Sequence, residues 1–142
     1  MIALRHILAV TLVSTLGACS GPGKQEAATL VDAVDRYRRA DDASKETQGK
    51  AVAAVACTDS RVCDAKQACV AAIDPTTRGL ALKDEVARLL VELEQKRLAP
   101  DSPEATALPG KLDEAERLLK DGRAGMARCD ARLTDLRVAF GV

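Results

Sequence analysis

The chain has 142 residues, room for one domain rather than two. Apolar residues make up 47% of it but aromatics only 1%, Tyr37 and Phe140. Alanine and leucine dominate, a mixture that favours helices over the β-branched and aromatic composition of sandwiches and barrels. With 21 basic residues against 21 acidic ones, the basic surplus expected of a nucleic-acid binder is missing.

In chain order, Arg5 and His6 precede an apolar run from Ile7 to Leu16, interrupted by Thr11, Ser14 and Thr15. A basic start followed by a short apolar core reads as a secretory signal. The run is too short to span a bilayer, which takes about 20 residues. It ends in Leu16-Gly17-Ala18-Cys19-Ser20. That pentapeptide resembles the lipobox of bacterial lipoproteins. The resemblance implies thioether lipidation of Cys19, cleavage just before it, and acylation of the new N-terminus. Residues 1–18 are then a cleaved signal peptide. Several acyl chains anchor a protein stably where one holds only marginally. Ser20 in place of Asp, by the same resemblance, points to the outer membrane.

Residues 19–24 read as a flexible tether, turn-prone through Gly21, Pro22 and Gly23. The rest, 25–142, reads as one all-α domain. Helix A is expected from Gln25 to Cys57, with Ala27, Leu30, Val34 and Tyr37 at helical spacing. Its apolar stripe lapses between Asp41 and Gly49, so a break there is the alternative. Thr58, Asp59 and Ser60 form a capping cluster. Helix B follows, Ser60 to Ile73. Asp74-Pro75 signals a fresh start for helix C, which carries Leu82, Val86, Leu89 and Leu93 to about Leu98. One long helix kinked at Pro75 is the other reading.

Residues 99–103 are the clearest loop, with Ser102 as a cap and Pro103 opening a turn. The strongest periodicity comes last. Leu108, Leu112, Ala115, Leu119, Gly122, Met126, Cys129, Leu133, Leu136 and Phe140 alternate spacings of 4 and 3. That is a helix facing a helical partner. Asp113–Arg117 and Glu116–Lys120 are candidate ion pairs on its solvent face. Together the segments describe an antiparallel three-helix bundle, or a four-segment version kinked at Pro75.

Four cysteines follow Cys19: Cys57, Cys63, Cys69 and Cys129. An even count in an exported domain points to disulfides. Positions i and i+6 of one helix lie about 9 Å apart along its axis. A disulfide wants Cα atoms within about 7 Å. Cys63–Cys69 inside helix B is therefore excluded, and Cys57–Cys129 with it. Two pairings remain. Cys57–Cys63 with Cys69–Cys129 has its midpoints at Ser60 and Ala99, both in expected turns. Cys57–Cys69 with Cys63–Cys129 has them at Cys63 and Lys96, inside helices. The first is favoured, and the rival differs by only about one helical turn.

The one histidine is His6, which leaves with the signal. Ser-His-Asp and Cys-His chemistry then lack their base. Cysteine spacings of six residues without histidine do not make a zinc site, and no Cys-x-x-Cys is present. No catalytic, cofactor-binding or metal-ligating residue is expected, and no cofactor. Arg36, Arg38 and Arg39 form a small basic cluster that nearby Asp35, Asp41 and Asp42 are expected to neutralise. The polar stretch Asp41–Lys50 reads as a solvated segment or a partner site. The expectation is a non-enzymatic, lipid-anchored envelope lipoprotein with a protein partner, neither nucleic acid nor metal. The alternative is a small binding protein with a groove between helices.

Overall fold

The structure is a computed structural model that describes residues 21–142. Cys19 and the expected signal peptide, residues 1–18, lie outside the described residues. The chain forms α1 (Pro22–Arg39), α2 (Asp42–Ala53), α3 (Ser60–Glu94), α4 (Pro103–Thr106) and α5 (Leu108–Phe140), with no strand among the described residues.

The frame is an antiparallel hairpin of α3 and α5. Cys69 faces Cys129 near one end, and Lys111 meets Glu85 at 2.8 Å towards the other. α1 and α2 pack on the end that holds the disulfide. There Leu30, Val34, Val52, Val62, Cys69, Cys129, Leu133 and Leu136 make the main core. A second, smaller core of Val86, Leu89 and Leu108 closes the hairpin tip. α3 has 35 residues and α1 only 18, so α1 spans about half of the hairpin's ~52 Å.

Helix α1 starts at Pro22, three residues earlier than the sequence indicates. Pro22–Lys24 therefore belong to the helix and not to a tether. Proline suits the first helical position because its missing N–H has no intrahelical partner there in any case. The long first helix divides in two at Ala40, which is extended at φ −67° and ψ 145°. Asp41 makes the break: its carboxylate accepts from Ser44 N at 2.8 Å and caps α2. Lys45 completes the corner. Its Nζ donates to Tyr37 O at 2.7 Å and Arg38 O at 3.1 Å, in the last turn of α1, where carbonyls lack a full set of intrahelical partners.

Helices B and C are a single helix, α3, running through Pro75. The proline withholds one backbone donor. In the same turn Thr76 Oγ1 donates to Ala72 O at 2.9 Å and Thr77 Oγ1 to Ile73 O at 3.0 Å. Continuous packing against α5 on both sides of Pro75 outweighs the local start signal.

The α5 seam follows its sequence pattern at Leu108, Ala115, Gly122, Cys129, Leu133 and Leu136, all buried, and departs from it elsewhere. Leu118 and Gly125 are buried, Leu119 and Met126 only half-buried, and Leu112 is exposed. Small residues decide this. A Cβ on Gly125 would lie 2.9 Å from Ala72 Cβ, and one on Gly79 would lie 3.0 Å from Ala115 O. Where glycine and alanine face each other the backbones meet, and larger residues are pushed to the flanks. Arg117 bonds Glu114 at 2.7 Å and Asp121 at 2.8 Å, so the expected Asp113–Arg117 pair does not form, nor does Glu116–Lys120. At the far end Gly141 takes the left-handed conformation, φ 64°, and closes α5.

Candidate functional site

The cysteines are paired as Cys57–Cys63 and Cys69–Cys129, with Cα separations of 5.3 and 4.5 Å. Their surroundings differ. Cys69 and Cys129 are fully buried in the hairpin seam, whereas Cys57, in the turn between α2 and α3, and Cys63, in the first turn of α3, are half-exposed. Both pairs are cross-links of the frame, and no group of three or more His, Cys, Asp or Glu side chains among the described residues is placed to hold a metal.

The turn carrying Cys57, bridged to α3 by its disulfide, is tied to α1 as well. Glu26 accepts from Thr58 N at 2.8 Å, Thr58 Oγ1 at 2.7 Å and Asp59 N at 3.2 Å. The backbone bond from Thr58, with its hydroxyl and the Asp59 N–H behind it, holds the Glu26 carboxyl below the usual glutamate range. Asp59 caps α3 through Arg61 N, and the Arg61 guanidinium lowers its carboxyl in turn. Arg61 also lies 4.3 Å from the centre of the Phe140 ring. The N-terminus of α1, the α2–α3 turn and the C-terminus of α5 thus meet at one end of the molecule.

Two of the three arginines of the basic cluster are paired, and Arg39 is in no ion pair among the described residues. Arg36 pairs with Asp32, and Arg38 with Asp35 and Asp130. Arg137 reaches Asp35 from α5 at 3.6 Å. The acidic partners are thus Asp32, Asp35 and Asp130; Asp41 and Asp42 do not take part. Only Arg38–Asp130 and Arg137–Asp35 join α1 to α5, and such exposed pairs contribute little individually.

The polar stretch Asp41–Lys50 forms most of α2 and one wall of an open groove against α3, of about 370 Å³. Gly49, Ala53, Val70 and Ile73 give it an apolar lining, and Glu46, Lys50, Asp74 and Arg78 carry charge around it. Gly49 allows the close approach, since a Cβ there would stand 2.8 Å from Ile73 Cγ2. Behind Gly49 the Tyr37 hydroxyl is buried with no hydrogen-bond partner. Burial pushes this phenol up, and the Thr76 and Thr77 hydroxyls beside it oppose that shift. Both of those hydroxyls donate to carbonyls of their own helix instead. The sequence offered Asp41–Lys50 as a partner site and a groove between helices as an alternative, but not this groove's lining, which is shared by two consecutive helices, α2 and α3.

Among the described residues no helix is long and apolar enough to cross a membrane. No family model, curated protein or solved structure matches the chain.

Proposed function

We propose that this protein is a lipid-anchored lipoprotein of the bacterial envelope, acting without catalysis as an interaction or structural module. The observation that carries the reading is Leu16-Gly17-Ala18-Cys19 directly after a short apolar run. Two disulfides in one small domain fit an oxidising compartment beyond the cytoplasm. Pro22, where α1 begins, stands three residues after Cys19, which keeps the domain near the anchor. Ser20 directs the protein to the outer membrane, and the anchor and a protein partner are its contacts. In this reading α1 and α2 together act as the third arm of a bundle over one half of the hairpin.

The absence of histidine after Cys19 speaks against acid–base catalysis at neutral pH. A second reading, a binding protein, draws on the apolar groove between α2 and α3. The anchor is tested in a cell that processes lipoproteins. The native protein should fractionate with membranes and take up labelled palmitate, and Cys19→Ala should lose both. A Cys19→Ala protein that stays equally membrane-bound and equally labelled refutes the reading.

A further inference from the structure

Leu112, Leu119, Met126, Leu133 and Phe140 repeat every seven residues along α5. A strict seven-residue row keeps one side of a helix turned towards a partner over its whole length. Over the half near the disulfides that partner exists: Leu133 is buried, and Met126 and Phe140 pack against the core that α1 completes. Towards the tip the row continues but the covering helix does not. Leu112 is 42% exposed, and Leu90, three heptads along α3 from buried Cys69, is 47% exposed. The hairpin's other flank on α5 carries Glu114, Asp121, Arg128 and Asp135, all charged, so the apolar side is distinct.

The charges around Leu119 identify the missing partner. Asp113 and Glu116 lie before it, and Lys120 and Arg123 after it. None of the four takes part in an ion pair among the described residues, although Arg117 in their midst takes part in two. Asp113 with Arg123, and Glu116 with Lys120, are both centred on position 118. Two antiparallel copies related by a twofold axis at that point would set the acidic pair of each against the basic pair of the other. A twofold interface must be self-complementary in this way, because the same patch serves both sides.

We propose that the tip half of the hairpin is a homodimer interface in which α5 packs antiparallel on α5 of a second copy. Leu119 lies next to the twofold axis and Leu112 is covered by the partner. The distal halves of two hairpins then form a four-helix arrangement beside the α1–α2 corner, which reaches along α3 as far as Asp84.

Sedimentation equilibrium of the full oxidised chain in density-matched detergent tests this. The wild type should sediment as a dimer. Asp113→Lys/Glu116→Lys should weaken the dimer roughly tenfold or more, and so should Lys120→Glu/Arg123→Glu, because like charges then meet across the interface. Mixing the two reversed variants should restore dimers, since an all-basic face then meets an all-acidic one. A wild type that stays monomeric at about 100 μM overturns the proposal, since a specific interface of ordinary size associates well below that. So do reversed variants that dimerise as well as the wild type, or a mixture that does not recover. The readout is independent of the anchor, so its failure would leave the lipoprotein reading standing.

Discussion

Gly122→Ala should destabilise the protein, although the same change in an exposed helix would stabilise it. Replacing glycine by alanine inside a helix normally gains about 1 kcal/mol. At Gly122 the new methyl would overlap Thr76 Oγ1 and lie 3.1 Å from both Ala72 O and Thr76 N. The hydroxyl can turn aside only by giving up its 2.9 Å bond to Ala72 O, a loss of about 1 kcal/mol. The two backbone atoms cannot turn aside at all. Relief then requires α3 and α5 to separate, and the Cys69–Cys129 bridge, with Cα atoms 4.5 Å apart, holds them together two turns away. Overpacking of this kind typically costs about 1–3 kcal/mol. The net expectation is a loss of about 2 kcal/mol, roughly 6–10 °C in Tm for a domain of this size.

Gly110→Ala is the internal control. It lies in the first turn of the same helix with nothing within 4 Å of its new Cβ, and it should gain about 0.5–1 kcal/mol. Urea unfolding of the oxidised protein, followed by circular dichroism, measures both. Thr76→Ala in the Gly122→Ala background removes the nearest clash and should return part of the loss, whereas independent sites would simply add. A Gly122→Ala protein as stable as Gly110→Ala would refute the close contact of α3 and α5.

Three further outcomes are expected. Cys69–Cys129 closes a separation of 60 residues and Cys57–Cys63 one of 6. Loop entropy then assigns them about 4 and about 2 kcal/mol, so Cys129→Ser should lower the unfolding midpoint well beyond Cys63→Ser; a non-reduced peptide joining Cys63 to the α5 segment would contradict the pairing. The Glu26 carboxyl is held below its ordinary value of 4.5 by Thr58 and Asp59. Its contribution is therefore present above that pH and lost as the pH falls through the lower folded value; the stability gap between wild type and Glu26→Gln should narrow on acidification, and a gap that widens rejects the Glu26 clamp. Pro75→Ala returns a donor to the interior of α3. The gain should exceed the lost stiffening of the unfolded chain, for a net stabilisation of about 1–2 kcal/mol; a less stable variant in the same urea series would mean that the ring's packing matters more than the donor.

The all-helical class was legible in the Ala and Leu content and in the seven-residue row of α5. The disulfide pairing was legible too. Helix rise excludes Cys63–Cys69 without any coordinates, and the turns at Ser60 and Ala99 fit the pairing that the structure shows. These features depend on local geometry, which travels with the chain. The boundaries of α1 and α3 did not. A proline beside an Asp cap looks the same whether a helix starts there or runs through, and only the α5 surface on both sides of Pro75 decides between them. The α5 seam was legible at Leu108, Ala115, Gly122, Cys129, Leu133 and Leu136, but Leu118 and Gly125 were hidden for a related reason. Hydrophobicity points to Leu112 and Leu119, but Gly122 and Gly125 face Ala72 and Thr76 of a helix about 50 residues away, and that contact rotates the buried line towards the small residues. The groove lined by Gly49 and Ile73, and the uncovered tip of the hairpin, likewise exist only once α1 proves to be half the length of the helices it covers.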